Sequence, residues 1–259
     1  MWVPGGDKES IEEEKTMLLD RYQKRADELF EAVRTTQREN IIKAGQMVAE
    51  TVANGGNVYM HGICHSIEGD LTNRGGGPVF YRRFNYKFEV EKNGRKRDRS
   101  DLDTNMEGLG AYILKASDLR PGDLIFLGSV SGRTANIVDL AYEAKKMGIK
   151  VIAMSSMTYA RAVDPVHSSG KKLYEMVDLT LDNCAPAAEA MMDVEGIEAP
   201  YAAASGIASA YILWSATSVA VEELMKRGIT PGILKSANFP GGNDYNKTVV
   251  EPNYEEKGW

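Results

Sequence analysis

The stretch that decides the fold reads LIFLGSVSGRT and spans residues 124–134. Its first four residues form a continuous apolar run, which is typical of a parallel strand that is buried on both faces. The apolar spacing of residues 133–147 predicts an amphipathic helix directly after the serine-rich loop. Strand, loop and helix in this order are the repeating unit of α/β folds, so the stretch predicts a sheet covered by helices.

Elements on both sides extend this pattern. Apolar runs predict three more strands, at 58–60, 151–154 and 179–181. Two helices are expected before the first strand, at about 10–33 and 37–52, and the pairs Ser10 with Glu13 and Thr36 with Glu39 predict a capping box at the start of each. We therefore predict an α/β fold with a doubly wound, mainly parallel sheet flanked by helices, a three-layer sandwich with an N-terminal helical pair.

The chain divides into three expected regions. These are an N-terminal helical pair (1–54) that packs on the sheet or on a partner subunit, a sheet domain (55–235) and a C-terminal arm (236–259). Within the second region, residues 78–103 combine an alternating run, the turn signal Asn93-Gly94 and many basic side chains, which predicts a protruding hairpin insertion. This segment is either a solvated loop or a basic lip that attracts an anion to a site.

The composition narrows the class of protein. A net charge of -6 over 259 residues disfavours a basic surface for nucleic acid, and two cysteines fit a reduced compartment better than a disulfide scaffold. No basic start followed by an apolar run is visible at the N-terminus, and the small residues of 201–221 predict a buried helix rather than a membrane span. We expect a cytoplasmic protein that binds neither nucleic acid nor a membrane.

The serine-rich loop predicts an anion site. Ser129, Ser131 and Thr134 gather three hydroxyls where the first turn of a helix leaves its N–H groups unpaired. Gly132 lets the backbone approach a ligand, Arg133 adds a cation, and the helix dipole adds partial positive charge. We expect a tetrahedral anion such as phosphate here, with ordinary serine capping of the helix as the alternative. Neither a Walker loop nor a dinucleotide fingerprint is present, which disfavours a nucleotide.

All three histidines fall in loops expected at or near the carboxyl ends of strands, where ligands bind in open α/β sheets. His167 is our candidate acid or ring-opening group and His65 the second choice, although each could instead make only a structural hydrogen bond. Lys171 either neutralises a substrate charge or lies in solvent. His61, Cys64 and His65 together contain three possible zinc donors, but no second cluster completes the set, and we predict no metal and no cofactor.

Two further polar residues are candidates for the same site. Glu189 follows the fourth strand and is either an alternative base or a first-turn acid of a helix. Asn238 lies in a loop rich in glycine and asparagine, whose amides could bind sugar hydroxyls. The alternatives for this loop are a dimer-facing arm and an inert tail.

The motif Ser-x-Ser-Gly-x-Thr at 129–134, with the polar loop HGICHS at 61–66, resembles the sugar isomerase (SIS) domain family over roughly residues 37–227. A closer resemblance, to a phosphosugar-binding branch, rests on HS at 65–66, NRGG at 73–76, HSSGKKL at 167–173, SAN at 236–238, GG at 241–242 and Asn246. The resemblance implies the SIS-type sandwich and phosphosugar binding. It also implies a homo-oligomer, a dimer or tetramer with sites at subunit interfaces.

The resemblance also implies roles for individual residues. Ser66 would hold the phosphate together with Ser129, Ser131 and Thr134. Residues 70–74, DLTNR, look like the E-L-T-G-R stretch of phosphoheptose isomerases, whose glutamate is the catalytic base. Asp70 stands at that place and is one methylene shorter. That branch also has a catalytic histidine on its C-terminal helix, whereas residues 201–227 here contain none.

These observations predict an aldose–ketose isomerase of a phosphosugar, or of an analogous anionic sugar such as a sulfosugar, that works through a cis-enediolate. The reaction needs a base for the C2 proton, here Asp70 or a nearby carboxylate, and a donor for the developing oxyanion. The alternatives are a protein that binds or senses a phosphosugar without turning it over, and a sugar-phosphate deaminase or lyase.

Overall fold

Five parallel strands form the central sheet in the part of the chain that the computed structural model describes, which is residues 17–89, 91, 93–96, 98, 100 and 107–259. They are β1 (Val58–His61), β2 (Tyr81–Arg83), β3 (Leu124–Gly128), β4 (Lys150–Ser155) and β5 (Leu179–Asp182). Their order across the sheet is β2-β1-β3-β4-β5, and every neighbouring pair is parallel. The predicted α/β fold is therefore confirmed.

Helices cover both faces of this sheet. In chain order they are α1 (Leu18–Thr36), α2 (Arg38–Ala53), α3 (Gly110–Lys115), α4 (Ala135–Lys146), α5 (Met157–Ala162) and α6 (Ser205–Lys226). Alternate residues of β3 point to opposite faces. Leu124 and Phe126 join one buried cluster with α1, α2 and α6, whereas Ile125 and Leu127 join a second cluster with α3 and α4.

The helix α6 packs closely on α2 through small residues. A Cβ placed on Gly45 of α2 would lie 2.6 Å from the carbonyl oxygen of Ala216 in α6, so glycine is needed at this contact. The buried helix expected at 201–221 is present but begins at Ser205, because β7 (Tyr201–Ala203) pairs with β6 (Ala190–Met192) in a small antiparallel ribbon. Within the described residues, no helix is both long enough and apolar enough to cross a bilayer.

The junction of the N-terminal helices differs from the sequence-based expectation. Thr36 does not cap α2, because it is the last residue of α1 and its hydroxyl donates back to the carbonyl oxygen of Ala32 at 2.7 Å. The residue that links the two helices is Gln37, whose Oε1 accepts the backbone N–H of Asp182 at 3.1 Å. The capping box at Thr36 is therefore wrong, and the one at Ser10 lies outside the described residues.

The segment 78–103 also differs from the expected hairpin where the structure describes it. Tyr81–Arg83 forms the edge strand β2, which pairs in parallel with β1, and no strand is formed at 84–89. The reason is burial, since Phe80, Tyr81 and Phe84 are each at most 5% exposed and draw this part of the chain into the sheet. Residues 90, 92, 97, 99 and 101–103 lie outside the described part.

The C-terminal arm folds back over the exposed edge of β2. Ile233 bridges to Pro78 in the antiparallel sense, and the chain continues through α7 (Gly242–Tyr245), a π-helical turn (Asn246–Val250) and α8 (Glu251–Lys257). Arg82 of β2 donates to the hydroxyl of Tyr254 at 2.7 Å, and Val250 is buried. The arm therefore covers an edge that would otherwise expose unpaired backbone groups.

Candidate functional site

The loops that follow β1 and β3 meet at the carboxyl edge of the sheet. These two strands are neighbours, and the chain leaves them toward opposite sides of the sheet, which is the place where ligands bind in open α/β folds. The loops touch at two glycines, because a Cβ on Gly128 would lie 2.4 Å from the carbonyl oxygen of Gly62. The two polar motifs of the sequence are thus brought together into one site, here called the socket and formed by residues 62–66 and 128–134.

The β1 side of the socket has an unusual backbone. Cys64, His65 and Ser66 have φ values of 34°, 59° and 74°, a run of three non-glycine residues in the left-handed region. Such conformations cost about 1–3 kcal/mol each and cluster at ligand sites, where the surrounding structure maintains them. The side chains of His65 and Ser66 are exposed at this edge, whereas Cys64 is buried.

The β3 side presents hydrogen-bond donors. No side chain caps α4, because its N-cap residue Thr134 instead shares a hydroxyl–hydroxyl hydrogen bond of 3.0 Å with Ser129. Within the described part of the chain, the backbone N–H groups of residues 133–136 have no acceptor. Ser131 and Arg133 are half-buried beside them, and Gly132 turns the chain with a φ of 64°. Free N–H groups at the start of a twelve-residue helix favour an anion over simple capping.

The segment 167–173 lies against the socket at one point. The backbone N–H of Leu173 donates to the carbonyl oxygen of Gly132 at 2.8 Å, which places Lys171 two residues from the loop. The side chain of Lys171 is exposed and forms no ion pair with the described residues. The contact of Lys171 with a bound anion stays a prediction.

His167 itself is buried beside α4, near Asp139, which lies one turn after the start of that helix. Its Nδ1 accepts the backbone N–H of Ser169 at 3.1 Å, so the proton is carried by Nε2. That Nε2 lies 3.4 Å from a carboxylate oxygen of Glu107 and 3.9 Å from one of Asp139, whose other oxygen accepts the backbone N–H of Gly110 at 2.6 Å. The structure thus places His167 in a carboxylate cluster on the α4 side, and its role as an acid stays a prediction.

His65 and Glu189 are brought together although they are far apart in sequence. The Nε2 of His65 lies 3.6 Å from Oε2 of Glu189, and Ser205 donates to the same oxygen at 3.4 Å. Glu189 lies in a turn before β6 with a φ of 73° and not in the first turn of a helix. This pair lies next to Ser66 and so borders the socket on the α6 side.

Asp70 is held by two partners. It ends a short 3₁₀ turn (Ile67–Asp70), where one carboxylate oxygen pairs with Arg74 and the other accepts Nε1 of Trp214 at 3.0 Å. Trp214 of α6 therefore has a polar contact at this site.

Asn238 belongs to the C-terminal arm. The chain just before it packs on the loop that follows Asp70, because a Cβ on Gly75 would lie 2.8 Å from the backbone of Ser236. The side chain of Asn238 is exposed, so its contact with a sugar stays a prediction.

The three possible zinc donors do not converge. Cys64 is buried, its sulfur lies 3.0 Å from the hydroxyl of Ser209, and burial raises the pKa of its thiol. His61 contacts the carbonyl oxygen of Phe84 through Nδ1 at 2.7 Å, whereas His65 turns toward Glu189. No group of three His, Cys, Asp or Glu side chains that could hold a metal occurs in the described ranges.

The burial of Glu68 was not predicted from the sequence. This residue is only 4% exposed, and its Oε2 is buried with no hydrogen-bond partner in the described structure. Its position between Ile67 and Leu71, both apolar, was the only available signal of burial.

Comparisons with known proteins agree with this architecture. Residues 21–156 match the family model described as SIS domain. The chain is 33% identical over 224 residues to a UPF0309 protein of Streptomyces griseus, which covers 86% of this chain and 89% of that protein. It is 32% identical over 238 residues to a UPF0309 protein of Streptomyces avermitilis, covering 91% and 95% of the two chains.

A solved structure shows the same fold. A phosphoheptose isomerase from Neisseria gonorrhoeae superposes with a TM-score of 0.52 at 13% identity, covering 79% of this chain and 97% of that one. The likeness confirms the three-layer arrangement of the predicted SIS-type sandwich. From the match of the family model and from these relatives, the chain belongs to the SIS domain family.

Proposed function

We propose that the protein is an aldose–ketose isomerase of an anionic sugar, either a phosphosugar or a sulfosugar. The observation that carries this proposal is the socket, in which the unpaired N–H groups of residues 133–136 stand beside the hydroxyls of Ser129 and Ser131. Phosphate and sulfonate both carry oxygen atoms arranged around a tetrahedral phosphorus or sulfur atom, and these oxygen atoms accept such hydrogen bonds. Arg133 and Lys171 add positive charge at the rim.

The chemistry needs a base near the anion, and we propose two carboxylates for this role. Asp70 is oriented by Arg74 and Trp214, and Glu189 is oriented by Ser205 and His65. Either carboxylate could take the proton from C2 and return it to C1 of a cis-enediolate, which is general acid–base catalysis by one group. We assign the first role to Asp70 and keep Glu189 as the alternative base.

A second candidate is binding or sensing without turnover. It is favoured by the state of Asp70, because each of its two carboxylate oxygens already has a partner, Arg74 or Trp214. A deaminase or lyase would use the same anion socket with a different reaction at the sugar. The isomerase, the sensor and the deaminase or lyase would all bind an anionic sugar, and they differ in what happens to the sugar after it binds.

We also propose that the protein acts in the cytoplasm as a dimer or tetramer, with sites at subunit interfaces. Cys64 and Cys184 are both free thiols, which fits a reducing compartment. Leu18 and Leu19 at the start of α1 are 45% and 56% exposed, so a partner subunit has an apolar surface available to cover.

The test is proton exchange by NMR. The protein is incubated in deuterated water with hexose, heptose and amino-sugar phosphates and with a sulfonated hexose. Loss of a C1 or C2 proton signal with one compound establishes enediolate chemistry and identifies the substrate class. The variant Asp70→Asn should lose exchange by about 100-fold or more and retain binding, whereas the exposed control Asp20→Asn should keep both.

Other outcomes discriminate between the readings. Saturable binding of the same compounds with no exchange would refute the isomerase and support a sensor. Retention of exchange in Asp70→Asn would move the base to Glu189, which Glu189→Gln tests in the same assay. No binding of any compound would refute the socket itself.

A further inference from the structure

His61 is a titratable group at the sheet edge to which the proposed function assigns no role. It is the last residue of β1, and its ring packs on Tyr86 and Phe84 with centroid distances of 5.1 and 5.5 Å. Its Nδ1 lies 2.7 Å from the backbone carbonyl oxygen of Phe84. A carbonyl only accepts hydrogen bonds, so Nδ1 carries the proton whenever the ring is neutral.

The second ring nitrogen is available for chemistry. Burial lowers the pKa of His61, so the ring is neutral near pH 7 and its Nε2 has a free lone pair. No described residue forms a hydrogen bond with that nitrogen. A neutral imidazole with a fixed tautomer and an open nitrogen has the form of a general base.

The charge of Glu68 acts on this ring. Its carboxylate is buried with one oxygen unpartnered, and its negative charge acts on His61 in the direction that favours the protonated ring. Burying a carboxylate without hydrogen bonds is costly, so the position calls for an explanation beyond packing. The positive charge that forms on His61 when it accepts a proton would provide one.

The position of His61 relative to the socket follows from three contacts. Its backbone pairs in register with Leu127, the residue before Gly128. Its ring packs on Tyr86, and the hydroxyl of Tyr86 accepts Nδ2 of Asn136 at 3.2 Å. Asn136 lies in the first turn of α4, where the backbone N–H groups face the socket. His61 therefore borders the socket on the α4 side.

We propose that His61 is a catalytic residue that carries a proton between the two oxygens of the bound sugar, with Glu68 as its positioning residue. This rests on the proposed isomerase. After the carboxylate base has taken the C2 proton, the electron pair resides on O1 of the enediolate. Nε2 then takes the proton from the O2 hydroxyl and gives it to O1, and protonation of C1 by the carboxylate leaves a carbonyl at C2. The imidazole returns neutral, and no proton is gained or lost.

The variant His61→Asn tests this step. An asparagine amide can keep the hydrogen bond to the carbonyl oxygen of Phe84 while removing the second nitrogen. With the compound that exchanges in the wild-type protein, C2 proton exchange should stay within about threefold, because it needs only the carboxylate. Formation of the isomer should fall by about 100-fold or more, since the transfer between oxygens is lost.

Other results would overturn the proposal. If exchange and isomer formation both stay within about threefold, or if both fall together in a variant that binds the sugar normally, His61 has no separate role in proton transfer. If the wild-type protein binds the sugars and exchanges no proton, the isomerase itself is refuted and this inference with it.

A second variant addresses Glu68 through the pH profile. Among the described residues, Tyr86 packs on the ring of His61, and the charge of Glu68 acts to raise the pKa of His61. Glu68→Gln should move the acidic limb of isomer formation to lower pH, because loss of the carboxylate lowers the pKa of His61 further. The control Glu222→Gln, at an exposed position on α6, should leave the limb in place. A limb that does not move in Glu68→Gln would overturn the positioning role.

Discussion

Substitution of Gly128 by alanine tests whether the socket depends on direct contact between its two loops. A Cβ at this position would lie 2.4 Å from the carbonyl oxygen of Gly62 and 2.5 Å from Cα of Ile63, about 1 Å inside ordinary van der Waals contact. Both obstructing atoms belong to the backbone, so no side chain can turn away to relieve the clash. The β1 loop must move instead. Overpacking of this kind costs about 1–3 kcal/mol, and a shift of about 1 Å disrupts a positioned site.

Thermal unfolding and titration with inorganic phosphate together measure the effect. At about 2–4 °C per kcal/mol, Gly128→Ala should lower Tm by roughly 2–12 °C. Its affinity for phosphate should fall by about tenfold or more, equivalent to about 1.4 kcal/mol. Gly206 is the matched control, because a Cβ there meets nothing within 4 Å and alanine favours the helix α6. An unchanged Tm and an unchanged phosphate affinity in Gly128→Ala would refute the contact between the loops.

Three further predictions follow from buried polar groups. Ser129→Ala removes a hydroxyl of the socket and should weaken phosphate binding about tenfold in calorimetric titration, and an unchanged affinity would place the anion elsewhere. Because burial lowers the pKa of His61 below 6.5, the unfolded state binds more protons than the native state. Denaturant titrations should therefore show that the free energy of unfolding falls as the pH drops below about 6.5. The variant His61→Asn should show a smaller fall over the same pH range. An equal fall in both proteins would contradict a buried neutral ring at His61. Tyr81→Phe removes a buried hydrogen bond of 3.0 Å to Thr217, whose hydroxyl still donates to Leu213. It should cost about 0.5–1.5 kcal/mol in urea unfolding, and a loss above about 3 kcal/mol would mean that Thr217 is left unsatisfied.

The strands of the central sheet that could be predicted, β1, β3, β4 and β5, each contain a run of apolar residues. β3 and β4 lie inside the sheet and are buried on both faces, so each reads as an unbroken apolar run. The edge strand β2 was missed, because it has three residues and two of them are arginines that are accessible at the edge. The hairpin was predicted instead from the alternating residues 86–90 and the turn signal Asn93-Gly94, which follow this strand in the sequence.

Some residues of the candidate site could also be predicted from the sequence, and others could not. The hydroxyls of the socket could be predicted, because Ser129, Ser131 and Thr134 are close in sequence and the strand before them fixes their location. Their long-range neighbours could not. Trp214 is 144 residues from Asp70, and the contact between His65 and Glu189 also joins segments that are far apart in the sequence. The burial of Glu68 likewise depends on how distant parts of the chain pack around it, which no local spacing encodes.

The loop after β1 crosses from one face of the sheet to the other. The side chain of His61 contacts Phe84 and Tyr86, which belong to the cluster on the α4 face of the sheet. Three residues later, Cys64 joins the cluster on the α6 face and contacts Ser209. Ile63 already belongs to the cluster on the α6 face, so the chain crosses from one face to the other between His61 and Ile63, where Gly62 has a φ of 69°. Groups on both faces can then approach one ligand at the edge, a histidine from the α4 side and a carboxylate from the α6 side. The isomerase that we propose moves one proton between carbons and another between oxygens, and a carboxylate on one face and a histidine on the other would serve these two transfers separately.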